Sequence, residues 1–316
     1  MIYTVTLNPA IDETIELESF NAGGVSRLAE TSRAVGGKGI NVARALGILG
    51  DKAEALAVVG EDSRAFFEEG ARAEGIALQC FPCPGETRVS QTIVFRQECV
   101  NTHIRRPHGA EGAGAALAGI KEWLASRLAQ GDYLVLSGSL QTSMPPDAWS
   151  GLTELAHEKG ALPVLDTSGD ALEAGLAARP FMLKINLDEF MDMSEASGEE
   201  KADFKETIRS LHASGVALIV ITMGAGGAVL SDGEDFFHAR LEMPENRERQ
   251  VWATGSGDAF LAGFLSGLLA AHPLTDCLRF GVACGSVSTG YPGCARFEKE
   301  AVMETLPRVE LHRELP

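Results

Sequence analysis

Residues 253–260 read Ala-Thr-Gly-Ser-Gly-Asp-Ala-Phe and lead straight into an apolar stretch. Gly255 and Gly257 permit a tight turn there, and a helix starting beside them leaves its first N–H groups free to bind an anion. Asp258 falls in the first helical turn, where the helix dipole favours a carboxylate. A carboxylate next to an anion hole formed by Gly255, Ser256 and Gly257 could accept a hydroxyl proton while a phosphoryl group is held in line, a role that contributes about 10²–10⁴ in rate. On this segment alone, Asp258 reads equally well as a helix cap after a Gly-rich turn.

A second Gly-rich segment, Val-Gly-Gly-Lys-Gly-Ile-Asn-Val-Ala-Arg, covers residues 35–44. Gly37 and its neighbours allow close backbone approach to a ligand, Lys38 supplies a mobile cation, and Asn41 an amide in the first helical turn. The spacing is not that of the G-x-x-x-x-G-K-[ST] phosphate loop, and a flexible turn explains it as well. A third, Thr-Met-Gly-Ala-Gly-Gly-Ala over residues 222–228, contains part of a dinucleotide fingerprint but comes late and lacks the full spacing. A tight turn between two strands, with Thr222, Gly224, Gly226 and Gly227 touching a nucleotide through the backbone, is an equal reading. Lys184, Asn186 and Glu189 fall just past a buried strand and suit phosphate and hydrated Mg²⁺, or simply a helix start. Ser139 closes another strand, Asp12 ends the first one with a carboxylate suited to vicinal hydroxyls, and Arg88 and Arg27 offer guanidinium forks for a phosphate. Each of these also fits an ordinary solvent-facing loop.

The elements that must position these residues show in the hydrophobic pattern. Near-continuous apolar runs at 2–7, 55–59, 133–137, 162–166, 181–186 and 218–222 predict strands buried on both faces of a parallel sheet. Helical patterns at 39–50, 115–130, 147–159, 199–214 and 256–271 alternate with them, which predicts a wound α/β domain whose ligands bind beyond the carboxyl ends of the strands. Segments 13–20 and 87–104 instead alternate polar and apolar, the signature of a half-buried sheet. With 27–34 they predict a small β lid made of residues 13–34 and 86–108, over a core of 1–12, 35–85 and 109–316. An edge extension or a dimer surface is the plainer alternative. Asp12, Lys38, Ser139, Asn186, Thr222 and Asp258 all fall at one predicted edge of the sheet, and unrelated polar residues would not sort themselves that way.

Composition limits the function. The 316 residues are 45% hydrophobic and 22% charged, ordinary for a globular chain. A net charge of −17 argues against bulk nucleic-acid or acidic-membrane binding, since both repel it. No uninterrupted apolar run reaches ~18 residues and no signal peptide opens the chain, so a cytoplasmic protein is expected. Six Cys residues are sparse, and the lone Cys80–Cys83 C-x-x-C lacks the second pair that a structural zinc site needs.

The ordered set of motifs resembles the ribokinase-like carbohydrate kinases of the phosphofructokinase B group, in the branch of 1-phosphofructokinases and tagatose-6-phosphate kinases. The motifs are T-L-N-P-A-I-D ending at Asp12, G-G-K-G-I-N-V-A-R from Gly36, G-E-T-R ending at Arg88, S-G-S-L from Ser137, L-D-T-S-G from Leu165, K-I-N-L-D-E from Lys184, T-M-G-A-G-G from Thr222 and T-G-S-G-D from Thr254. The resemblance implies a ribokinase-like fold and transfer of the ATP γ-phosphoryl group to a sugar-phosphate hydroxyl. Fructose 1-phosphate is the first choice and tagatose 6-phosphate the second. It implies Asp258 as general base and Gly255, Ser256 and Gly257 as the anion hole. Asp12, Gly37 and Asn41 would hold sugar hydroxyls, with Lys38, Arg88, Ser139 and Arg27 at the substrate's phosphate. Thr222 to Gly227 would line the nucleotide site, Lys184 and Asn186 would approach its phosphates, and Glu189 would support Mg²⁺ through water. A homodimer through the lid is also implied. The chain departs from the pattern at Ile185 and Gln141, where Pro is usual, and at 103–108, where His-Ile-Arg-Arg-Pro-His replaces an acidic stretch. A non-catalytic sugar-phosphate sensor on the same fold is the rival of a different class, and the intact Asp258 turn argues against it.

Overall fold

The structure, a computed structural model, describes residues 1–19, 21, 23–95, 100–106, 112–196, 204–242 and 252–313. Its strands are β1 (Ile2–Thr6), β2 (Ala10–Leu17), β3 (Leu28–Gly36), β4 (Ala53–Gly60), β5 (Ala77–Cys83), β6 (Val89–Phe95), β7 (Val100–Arg105), β8 (Tyr133–Ser137), β9 (Leu162–Asp166), β10 (Met182–Asn186), β11 (Leu218–Thr222), β12 (Ala228–Ser231), β13 (Phe236–Leu241) and β14 (Val309–His312). The large sheet has ten strands in the order β14-β13-β12-β11-β10-β9-β8-β1-β4-β5. From β5 to β11 every pairing is parallel, and β12, β13 and β14 add antiparallel strands at one edge.

Helices cover both faces, which is why the central strands carry apolar residues on both sides. Val42, Leu46, Phe260, Phe264 and Leu278, from helices Lys38–Leu49, Ser256–Leu269 and Leu274–Ser288, pack on one face. Leu117, Ile120, Trp149, Leu152 and Ile208, from helices Ala113–Ala125, Ala148–Glu158 and Phe204–Ala213, pack on the other. Each fully buried side chain of this size contributes about 1.5–3 kcal/mol. The two layers hold the strand ends rigidly enough to fix side chains at one rim.

The second sheet has four strands, in the order β3-β2-β6-β7. The alternating segment 87–104 supplies two strands, β6 and β7, which pair antiparallel. Asp12, expected at the end of the first strand, is instead the third residue of β2, paired with Ala34 on β3 and Ser90 on β6. β1 already ends at Thr6, so the carboxylate belongs to the base of the small sheet. Period-2 alternation sorts this sheet into two faces. Asp12, Thr14, Thr92 and His103 share one, while Ile15, Leu17, Ile93, Ile104 and Leu28 share the other.

Strands β5, β12, β13 and β14 go beyond the expected set. β5 is an edge strand containing Pro82 and Gln79, and β12 and β14 are only four residues long. Edge position and short length weaken the apolar signal. The helix expected over 199–214 is described from Phe204. Residues 197–203 of the acidic run, and Pro107 and His108 of the unusual segment, lie outside the described residues. Among the described cysteines, 80, 83, 277, 284 and 294 are free thiols. No described helix is long and apolar enough to cross a membrane.

Candidate active site

The rim holds a buried charge cluster. Asp258 lies in the first turn of helix Ser256–Leu269, 5% exposed, and accepts a hydrogen bond on Oδ2 from Asn41 Nδ2 at 2.8 Å. Asp166, the last residue of β9, is fully buried and receives Lys38 Nζ at 2.9 Å and Lys184 Nζ at 3.4 Å on the same oxygen. Lys38 also lies 4.0 Å from Glu189 Oε1. Burial, reinforced by the charge of Asp166, pushes the Asp258 carboxyl up to about 6, although Lys38, Lys184 and Asn41 pull it down. Burial would also raise Asp166, but the two ammonium groups hold it below the usual carboxylate range. Burial opposes the charge of Lys38 too, yet Asp166, Asp258 and Glu189 together hold it above its ordinary range.

The turn ahead of Asp258 is shaped by glycine. Gly255 sits at φ 85°, and a Cβ there would lie 2.6 Å from the Ala295 backbone nitrogen, so both conformation and contact exclude a side chain. A Cβ at Gly257 would lie 3.0 Å from Lys184 Nζ, which places that ammonium directly against the helix start. Of the three amides expected to form the anion hole, that of Ser256 is engaged, donating to Ala253 O at 3.2 Å. Among the described residues the amides of Gly255 and Gly257 make no hydrogen bond, so these two and the Lys184 ammonium are the groups able to meet an anion. Lys184, expected past its strand, lies inside β10 and reaches the site through its side chain.

Asp12 lies over the Gly36–Gly37 turn, since a Cβ at Gly36 would overlap its carboxylate. It also hydrogen-bonds the Cys294 thiol, which burial and the Asp12 charge hold well above its ordinary range. The polar face of the small sheet and the segment 292–296 enclose a cavity of about 300 Å³, lined by Asp12, Thr14, Thr92, Trp252, Thr254 and Cys294, among others. His103 bridges the two layers, with Nδ1 3.1 Å from Thr92 Oγ1 and Nε2 3.0 Å from Thr254 Oγ1 in the turn before Gly255.

A polar corner forms at the ends of β1 and β8. Asn8 Nδ2 donates to Ser139 Oγ at 3.0 Å, while Arg88 donates to the carbonyls of Asn8 and Pro9 at 3.1 and 3.2 Å. Gly138, beside Ser139, faces the Lys38 side chain. Arg27 does not join this corner. It is exposed and precedes Leu28, which pairs with Leu17 at the opposite end of the β2–β3 hairpin from Asp12.

A separate groove of about 210 Å³ runs past Thr222, Gly224, Gly227, Ser256 and Gly257. The turn Gly224–Gly226 joins β11 to the antiparallel β12, so no βαβ unit follows it and the dinucleotide reading falls. Gly226 turns its carbonyl to His238 Nε2 at 2.7 Å and does not line the groove. Asn186 and Glu189 form a reciprocal cap, the Asn186 N–H donating to Glu189 Oε2 at 3.0 Å and the Glu189 N–H to Asn186 Oδ1 at 2.8 Å. Glu189 keeps Oε1 towards Lys38, a hard oxygen donor that suits a hydrated Mg²⁺. Among the described residues no three His, Cys, Asp or Glu side chains could hold a metal together, so the ion's remaining ligands would be water and phosphate.

Asp166 and Arg44 are the residues that reasoning from sequence passes over. Asp166 stands in L-D-T-S-G at a strand end, and Arg44 ends the G-G-K-G-I-N-V-A-R run three residues after Asn41, on the same helical face.

A buried carboxylate at a glycine-shaped helix start, between a groove past Thr222 and a cavity under the small sheet, is the setting of a phosphotransferase with an alcohol acceptor, the class of its relatives. Residues 5–301 match the pattern of the pfkB family carbohydrate kinases, and the chain belongs to that family of ATP-dependent sugar kinases. It is similar to a 1-phosphofructokinase of Xanthomonas campestris pv. campestris, 37% identical over 89% of this chain and 88% of that one. A 1-phosphofructokinase of Rhodobacter capsulatus is 34% identical over 98% and 99% of the two chains. The fold matches phosphofructokinase-2 from Escherichia coli in complex with fructose-6-phosphate at a TM-score of 0.86, with 23% identity over 97% and 98% of the chains. It also matches ribokinase from Thermotoga maritima at 0.74, with 21% identity over 97% and 99%. The large sheet and its helices are thus ribokinase-like.

Proposed function

We propose that this protein is a cytoplasmic kinase that transfers the γ-phosphoryl group of ATP to fructose 1-phosphate, giving fructose 1,6-bisphosphate. The observation that carries the reading is the buried Asp258 carboxylate, held by Asn41 at the start of a helix whose Gly255 and Gly257 amides are available. In this reading Asp258 accepts the proton of the attacking hydroxyl. The two amides and Lys184 neutralise charge on the phosphoryl group in transit, so the chemistry is mostly positioning and charge stabilisation. Asp12, Gly37 and Asn41 orient sugar hydroxyls, and Arg88, Ser139 and Lys38 receive the substrate's own phosphate. Thr222, Gly224 and Gly227 line the nucleotide groove, with Gly226 bracing it from behind. Lys184 and Asn186 approach the ATP phosphates, and Glu189 would hold Mg²⁺ through water, where the ion would supply charge neutralisation on those phosphates.

Both relatives are 1-phosphofructokinases matched over most of their length, which favours fructose 1-phosphate over tagatose 6-phosphate. The test is ADP release over a panel of free and phosphorylated sugars. Fructose 1-phosphate is expected to give the highest kcat/KM, and a preference for an unphosphorylated sugar would overturn the assignment. Arg88→Ala is expected to raise the KM for the sugar phosphate by about tenfold or more, the loss of one charge-assisted pair, while the KM for ATP changes far less. Equal losses for both substrates would remove the phosphate role.

The small sheet acts as a lid in this reading, and its outer face supports a homodimer. Leu28 is 57% and Ile104 44% exposed there. Exposed apolar side chains on one face suit an interaction surface. Arg27 is exposed next to Leu28, at the far end of β2–β3 from Asp12, so its place at a substrate phosphate requires the second copy.

A further inference from the structure

We propose that Arg44 is a positioning residue for the reaction: it fixes which end of the Asn41 amide faces Asp258, and so keeps the Asp258 carboxylate as a proton acceptor. The inference rests on Asp258 being the base. Arg44 is 5% exposed and anchored on every side. Its Nη1 donates to Asn41 Oδ1 at 2.6 Å and to Cys294 O at 3.3 Å, Nη2 donates to Val35 O at 2.5 Å, and Nε to Glu74 Oε2 at 2.5 Å. Glu74 is held in turn by Arg296 at 2.9 Å. A chain of polar contacts therefore runs from the cavity rim at Arg296, through Glu74, Arg44 and Asn41, to Asp258.

The chemistry of the ends gives this chain a direction. A guanidinium has donors and no acceptor, so the Asn41 atom facing Arg44 must be the amide oxygen. The NH₂ group is then committed to Asp258 Oδ2, 2.8 Å away. In that orientation Asn41 can donate to a carboxylate but cannot accept from a carboxylic acid at the same oxygen. Without Arg44 the amide is free to rotate by half a turn and to present its oxygen to protonated Asp258. That rotation would stabilise the form unable to act as a base.

Other groups facing Asp258 come from every element packed against it. Lys38 lies on the helix that carries Asn41, Asp166 on β9, Lys184 on β10, and the Cys294 thiol on the segment behind Gly255. Lys38, Asp166 and Lys184 act through charge and the Cys294 thiol stays neutral, whereas the effect of Arg44 is transmitted by an oriented hydrogen bond. Opposite preferences for the two protonation states shift a titration, and one such bond moves it by about one pH unit.

The experiment compares Arg44→Met, Arg44→Lys and Glu74→Gln. In Arg44→Met the acid limb of kcat/KM is expected to move up by about one pH unit, a tenfold loss on that limb with a smaller loss on the plateau. Arg44→Lys keeps the positive charge but replaces the rigid fork with a point donor, so a smaller upward move reads loss of amide fixation and not loss of charge. Glu74→Gln weakens the same buried network while leaving Arg44 aimed at Asn41, and its limb is expected at or below the wild-type position. If Arg44→Met does not fold, Arg44→Lys against Glu74→Gln still decides. Unmoved limbs in the Arg44 variants, or an equal rise in Glu74→Gln, would reduce Arg44 to a structural brace. The ¹³C side-chain resonance of Asp258, assigned by its loss in Asp258→Asn, reports the same titration without turnover. Full turnover in Asp258→Asn would overturn the base assignment while leaving the amide test standing.

Discussion

Asp258→Asn is expected to lose about two or more decades of kcat while still binding ATP and the sugar phosphate, and to melt at a higher temperature than wild type. The first half follows from removing the base without removing a binding surface. The second follows from the cost of the native carboxylate. Its pKa of about 6, against an ordinary 3.8, means that the folded protein holds a proton that the unfolded chain has already released between those values. Stability therefore falls as pH rises through that window, and the whole cost remains above pH 6. A gap of about two pH units corresponds to about 3 kcal/mol, a figure already net of the pull of the two neighbouring lysines. The amide oxygen of the substituted side chain can still accept from Asn41, so the cluster keeps that contact. Urea unfolding at pH 7.5 is expected to show the variant more stable, with the difference vanishing below pH 3.8. Equal kcat would remove Asp258 from the chemistry. Equal stability would mean that the lysines already cancel the burial cost.

Asp258 is legible in the sequence because its signals are local: two glycines, a carboxylate and an apolar helix in twelve residues. The same holds for the Gly36–Gly37 turn and for the core strands β1, β4, β8, β9, β10 and β11, whose apolar runs need no partner to be recognised. The roles of Asp166 and Arg44 are not local. Asp166 becomes a counter-ion only when β9 lies beside β10, bringing Lys184, and when the helix after β3 delivers Lys38 from 128 positions away. Arg44 matters through the orientation of another residue's amide, which no spacing rule encodes. Ser256 is a smaller case. Residue order places it in the anion hole, but the turn commits its N–H to Ala253. Arg27 reads as a partner of Arg88 because both precede strands of the small sheet, yet the β2–β3 pairing carries it to the opposite end of that sheet. Antiparallel β13 escapes for a different reason, since the polar residues His238 and Arg240 interrupt its apolar pattern, while β12 is only four residues long.

Asp166→Asn is expected to destabilise the fold by about 3–5 kcal/mol, the usual cost of removing one partner from a buried ion pair. Its carboxylate is 0% exposed and faces two ammonium groups, of which Lys184 is itself 3% exposed. An amide of the same shape can accept one hydrogen bond but leaves both cations without their shared counter-charge, and Asp258 alone cannot neutralise two lysines. The pH dependence separates this loss from a packing defect. The native pKa of Asp166 is lowered, so the stability it contributes is present above pH 3.8 and is lost as pH falls below that value towards the folded pKa. The gap between wild type and variant is therefore expected to hold from pH 5 to 8 and to narrow in acid, whereas a cavity or steric defect would cost the same at every pH. Turnover should suffer as well. Lys38 and Lys184 lose the anchor that aims them, so kcat is expected to fall by about tenfold even where the variant remains folded, as when only one transition-state contact is misplaced. A variant as stable and as active as wild type would mean that the two lysines are placed by their own strand and helix, with Asp166 merely present between them.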